Sequence, residues 1–146
     1  MSFFDSIDVA ASGLTAERVR MDVTSENLAN AQTTNGAGGQ PYRRQEVVLQ
    51  QSGGTTFGST LAGAIGGSAT PGGVQVAGIV NDPTPDQLVY DPGHPGANAQ
   101  GYVRMPNVNP VTEMTDLIDE SNSYQADVTA MNTAKTMFTK TLDLLK

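Results

Sequence analysis

Asn109-Pro110-Val111-Thr112-Glu113-Met114-Thr115-Asp116-Leu117 opens a stretch that meets no Gly or Pro from Val111 to Lys146. Leu117, Tyr124, Met131, Phe138 and Leu145 recur at every seventh position, and Met114, Val128 and Leu142 fall in the alternating places. An apolar period near 3.5 is that of a helical stripe packed against another helix. Asn109 suits the helix cap and Pro110 the first helical position, where no backbone donor is needed. Glu113, Asp116, Asp119 and Glu120 crowd the early turns while Lys135, Lys140 and Lys146 come late, as the helix macrodipole favours. A helix of ~36 residues would be ~54 Å long, more than the width of a small domain. With one narrow stripe it needs a partner.

The other end of the chain supplies one. Ile7, Leu14, Met21 and Leu28 are again seven apart, with Phe4 and Ala11 between them, and Ser2 followed by Asp5 reads as a capping box. Arg18 and Ser25 dilute this stripe, and Ser121 and Lys135 dilute the other. The two ends are expected to pair, within one chain or between copies. Neighbouring copies are expected to cover Val9, Ala16, Val19 and Val23. The competing reading is a self-contained two-helix pair on a small domain.

Composition narrows the function classes. The 146 residues include four Phe, four Tyr and no Trp, which excludes a large aromatic core. A formal charge of -7 argues against a phosphate backbone as partner, so nucleic-acid binding is not expected. There is no Cys, hence no disulfide framework, thiolate metal site or cysteine nucleophile. Met1-Ser2-Phe3-Phe4-Asp5 has none of the marks of a cleaved secretory signal, and no run approaches the ~20 apolar residues of a membrane helix. The expected product is soluble, or exported by a route that reads something else.

Between the helices the text is different. Asn27-Leu28-Ala29-Asn30-Ala31-Gln32-Thr33-Thr34-Asn35 is a polar run in which asparagine side chains compete for the helical backbone, so a helix end and an ordered turn are expected. Short strands follow at Glu46–Leu49, Val74–Val80, Gln87–Tyr90 and Gly101–Met105, with Val74, Val76 and Ile79 facing inward. Asp82-Pro83-Thr84-Pro85-Asp86 and Asp91-Pro92-Gly93-His94-Pro95-Gly96 read as turns. Residues 51–73 collapse into Gly, Ser, Thr and Ala, a flexible excursion without phosphate-loop spacing. Arg43 and Arg44 read as a solvated edge.

No active site emerges. His94 is the only histidine and sits between turn prolines, so it reads as a turn residue and not as a metal ligand. Asp116, Asp119 and Glu120 share a helical face, but acids are expected there without any reaction. No nucleophile elbow surrounds any Ser or Thr. The expectation is no catalytic residue, no cofactor and no metal.

Asn27-Leu28-Ala29-Asn30-Ala31 resembles the amino-terminal signature of bacterial flagellar axial proteins. In that family the motif is usually followed by Thr and a Gly-Tyr-basic element. Here Thr33 and Thr34 follow, and the tyrosine-basic element arrives late as Pro41-Tyr42-Arg43-Arg44, which is similar to the short-chain branch, the proximal rod proteins of the flagellar basal body. The resemblance extends through Ile7–Arg18, Tyr90–Pro95, Gly101–Val108, Pro110–Met114 and Ser123–Ala130. It implies a structural subunit of the rod, with both terminal helices in an inner coiled-coil core around a channel and the β unit outside. It also implies passage through the flagellar type III export apparatus on an uncleaved signal, and assembly in the periplasm. Partners would be copies of itself, the other rod proteins and the adaptor that joins rod to membrane ring, with no direct membrane insertion.

The expected fold is thus mainly α with a small β unit. Residues 1–30 form the first helix of the core, 31–108 a β-rich outer unit with the Gly-rich loop, and 109–146 the last helix. The expected helix contacts are Ile7, Leu14, Met21, Leu28, Leu117, Tyr124, Val128, Met131, Phe138, Leu142 and Leu145. A rival reading from another class is a non-flagellar coiled-coil binding module or export chaperone.

Overall fold

The structure, a computed structural model, describes residues 3–52 and 72–143. Helix α1 spans Phe3–Ala29 and helix α2 spans Pro110–Asp143. Among the described residues between them lie a 3-10 turn at Ala37–Gly39 and the strands β1 (Gln45–Gln51), β2 (Val74–Asn81), β3 (Gln87–Tyr90) and β4 (Tyr102–Met105). The strands form two separate two-stranded sheets, β1 with β2 and β3 with β4. Most of the Gly-rich stretch, the Ser2 cap and Leu145 lie outside the described residues.

The start of α2 follows its signals. Asn109 Oδ1 accepts the Val111 amide at 3.0 Å, and the Asn109 carbonyl accepts the Glu113 amide at 3.0 Å. The end of α1 is closed by Asn30, whose Nδ2 donates to the Glu26 carbonyl at 3.0 Å and whose Oδ1 accepts the Thr33 hydroxyl at 3.2 Å.

The chain divides into two compact units, and each helix and the β1–β2 pair contribute to both. The first unit takes in α1 through Arg18, the chain from Leu49 and through Ala77, and α2 from Ser121. In it Ser12 Oγ donates to the Val9 carbonyl at 2.7 Å and accepts the Val74 amide at 3.0 Å. Gly13 comes close to Asp127: a Cβ at that glycine would lie 3.0 Å from Asp127 Oδ2. The second unit comprises Val19–Val48 and Gly78–Glu120. Here β3 and β4 run antiparallel, Leu88 opposite Arg104, Val89 opposite Val103 and Tyr90 opposite Tyr102. Val103, at 2 % exposure, faces inward. Gly101 turns the chain into β4 at φ 81°, where the Tyr90 ring leaves no room for a Cβ.

Burial does not follow the apolar stripes. Ile7, Leu14, Met21, Leu28, Leu117, Val128, Met131 and Phe138 are half-buried, while Tyr124 and Leu142 are exposed. The buried apolar positions of α1 are Ala16 and Val23, which were expected to await a neighbouring copy and are covered by the chain itself. The buried residues of α2 are Glu113 and Glu120. In β2 Val76 is partly sheltered, as is Gly78, while Val74 and Ile79 are exposed. A two-stranded sheet offers too little cover for both faces of its strands.

Candidate functional site

Buried polar groups of the second unit meet at a site where the last turns of α1, the segment leading into β1 and the first turns of α2 come together. Asn27, 1 % exposed, is its centre. Its Nδ2 donates to the Gln45 carbonyl at 2.8 Å and to Glu113 Oε2 at 3.1 Å. Its Oδ1 accepts the Gln45 amide at 2.9 Å and the Tyr42 hydroxyl at 2.9 Å. An amide side chain has two donors and two good acceptor directions, so Asn27 is saturated. Towards Gln45 it takes the part of a neighbouring strand, bonding both the backbone N–H and the C=O of one residue.

Arg44 is the second pillar. Its Nε donates to Glu113 Oε1 at 2.6 Å, its Nη1 pairs with Glu46, and Asp82 Oδ2 and Asp116 Oδ2 lie at 3.8 and 3.6 Å from the guanidinium. Its backbone is held as well: the amide donates to Asn107 Oδ1 at 2.8 Å, and the carbonyl accepts the Asp82 amide at 2.8 Å. The expected solvated edge therefore holds only for Arg43, which reaches Asp86 and the Thr84 carbonyl at the surface. Successive residues of extended chain point to opposite sides, so one arginine faces out and the next faces in.

The electrostatics follow from this arrangement. Burial works against the Arg44 charge, but the hydrogen bonds and proximity of Glu113 and Glu46 outweigh it and hold the guanidinium above its ordinary pKa. Burial, with Glu26 and Glu113 nearby, pushes the Tyr42 hydroxyl up to about 12. Asp82 accepts both the hydroxyl and the amide of Thr84 and is held below the usual carboxylate range. A further tie joins the two helices one turn away from this centre, where Thr24 donates to Glu120 Oε1 at 3.0 Å and Arg20 Nη2 lies 3.6 Å from the same oxygen.

A register emerges that apolar counting misses. On α2 the acids Glu113, Glu120 and Asp127 are seven apart, and on α1 so are Gly13, Arg20 and Asn27. Within the second unit Asn27 meets Glu113 and Arg20 meets Glu120; within the first, Gly13 meets Asp127. The heptad spacing of this polar row was open to view in the sequence, whereas the role of Asn107 carries no spacing signal. Of the signature residues, Asn27 and Arg44 come together on Glu113, and Tyr42 joins them through Asn27. Asn30 closes the helix, Pro41 is buried, Leu28 is half-buried and Ala29 is exposed. His94 stays a turn residue, its Nδ1 accepting the Gly96 amide at 3.0 Å. Among the described residues no group of His and carboxylate side chains is placed to hold a metal ion, and no helix is long and apolar enough to cross a membrane. Both donors and both acceptor directions of Asn27 are engaged, and Arg44 is held by Glu113 and Glu46, so the arrangement can fix a register.

Both halves of this lock lie in segments shared with known proteins. The family model for the flagella basal body rod protein matches residues 7–37, and that for the C-terminal part of the flagellar basal body rod FlgEFG protein matches residues 99–144. The chain is 50% identical to the flagellar basal-body rod protein FlgC of Bacillus subtilis over 100% of both chains. The chain belongs to the flagellar basal-body rod protein FlgC family. The FlgC of Escherichia coli is 46% identical over 99% of this chain and 98% of its own, and that of Borreliella burgdorferi 41% identical over 100% and 99%. The two segments matched by family models contain Asn27 and Glu113; Tyr42 and Arg44 come from the stretch between them.

Proposed function

We propose that this chain is a structural subunit of the proximal rod of the bacterial flagellar basal body, and not an enzyme. The observation that carries this is the end-to-end match to rod proteins, which covers both terminal helices and the strands between them. In this reading α1 and α2 pair as a coiled coil in the inner wall of the rod, around the export channel. The Ile7, Leu14, Met21, Leu28 stripe and the Leu117, Tyr124, Val128, Met131, Phe138, Leu142, Leu145 stripe meet neighbouring subunits. Residues 31–108 form the outer unit. Half-burial of most of the described stripe residues in the single chain supports this, because an incompletely covered apolar stripe is completed by a neighbour.

The chain would travel through the flagellar type III export apparatus without a cleaved signal and assemble in the periplasm. There it would contact copies of itself, the other rod proteins and the adaptor to the membrane ring. Torque would pass through packed helices, with no turnover. The test is genetic and biochemical: supplied to a strain whose own rod gene is deleted, the chain restores swimming and is recovered in purified basal bodies. Its absence from basal bodies of swimming cells sinks the reading.

A further inference from the structure

Two surfaces of the second unit stay uncovered in the single chain, and they match each other. The first is the outer face of the β3–β4 hairpin. The register puts Leu88 opposite Arg104 and Tyr90 opposite Tyr102, so these four side chains share one face. Leu88 and Tyr90 are each 65% exposed and Tyr102 43%. The two tyrosine rings sit edge to face, 5.3 Å apart. Arg104 is exposed at the border, and among the described residues no carboxylate lies in ion-pair reach of it. Tyrosine and arginine around an aliphatic side chain is the composition of an interface hot spot.

The second is the outer face of the first turns of α2. Val111, Met114 and Ile118 follow helical spacing and are 73%, 54% and 60% exposed. They lie away from the side that carries Glu113 and Glu120 into the interior. Asp119 flanks them, exposed.

We infer that the hairpin face of one copy receives the Val111/Met114/Ile118 face of a second copy, with Arg104 of one opposite Asp119 of the other. Apolar side chains then cover apolar side chains, and the guanidinium meets a carboxylate in a chain whose net charge is otherwise negative. The contact joins two different patches, so it is head-to-tail, and repetition builds an open helical array or a ring instead of a closed pair. The inference rests on the rod reading above and adds to it a specific contact outside the helical stripes.

The absence of cysteine makes the test clean. Tyr90→Cys and Ile118→Cys proteins, differently tagged, are expressed together in cells lacking the chromosomal copy, and isolated basal bodies are mildly oxidised. The expected product is a mixed disulfide dimer, in excess of either self-dimer. Arg104→Glu on the Tyr90→Cys chain lowers its yield about tenfold, and Asp119→Lys on the Ile118→Cys chain restores it. Leu88→Cys with Met114→Cys is a second pair giving the same readout. Basal bodies that contain both variants but yield only self-dimers, or a crosslink to another rod protein, overturn the contact and leave the rod reading intact. Wild-type chain missing from basal bodies overturns the rod reading itself.

Discussion

Asn27 is the residue whose side-chain amide, at this reach, holds the site together. Aspartate lacks the two donors and would set a second carboxylate against Glu113, which is 1% exposed. Asn27→Asp therefore destabilises the second unit, and Glu113→Ala, which strands Arg44 and the Asn27 amide, does so by about 3 kcal/mol in thermal or urea melts. A change within experimental error for both would show that the buried network is not what holds α1 to α2. Tyr42 gives the site a pH signature. Its hydroxyl titrates at about 12 in the folded chain against about 10 unfolded, so the folded state keeps the proton longer. The stabilisation is whole below pH 10 and drains away as pH rises through 12. Tyr42→Phe should flatten that alkaline slope while being less stable at pH 7, since the Asn27 Oδ1 loses a donor; circular dichroism against pH reads both. Little at this scale was legible beforehand. Asn27, Tyr42 and Arg44 could be singled out as a pattern, but that Asn27 and Arg44 close on Glu113, with Tyr42 on Asn27, is a three-dimensional fact, because chain spacing does not report which acid an inward arginine meets.

At the scale of elements the sequence was far more informative. Both helices, and all four strands within a residue or two, stand where period, caps and turn residues put them. The reason is that Asn109, Asn30 and the Asp82 turn act locally, through hydrogen bonds to residues within four positions. Which polar row also meets across the helices was not legible from apolar spacing. Leucine, methionine and phenylalanine mark one row, yet the row that meets across the helices holds Glu113, Glu120 and Asp127, because it also has to fix register against Arg20 and Asn27. We propose that the half-buried apolar row is completed by neighbours. Met131→Asp accordingly leaves the melting of the isolated chain nearly unchanged, and blocks its recovery in basal bodies. Normal swimming in that variant would count against the stripe as a polymer contact.

For the molecule as a whole, the interior is small and mixed. Among the described residues the first unit buries Ala16, and the second buries Val23, Ala31, Pro41, Val103, Pro106 and Val108 together with Thr24, Asn27, Glu113 and Glu120. Such a core leaves a dilute chain marginal. Amide hydrogen exchange should find protection concentrated at Val23–Asn27 and Val103, with α2 beyond Ser121 exchanging fast in dilute protein and slowly in basal bodies. Equal, strong protection along α2 in the dilute chain would favour a self-sufficient helical module over a subunit completed by its neighbours.

The saturation of Asn27 has a mechanical corollary. Hydrogen bonds act over a few tenths of an ångström, so a lock built from them is stiff to small distortion yet opens abruptly once stretched. A chain pulled from its amino end through a narrow conduit would therefore yield in a brittle step at Asn27, with few buried apolar side chains to drag apart. Once in place, the same stiffness would resist the twisting load of a turning shaft.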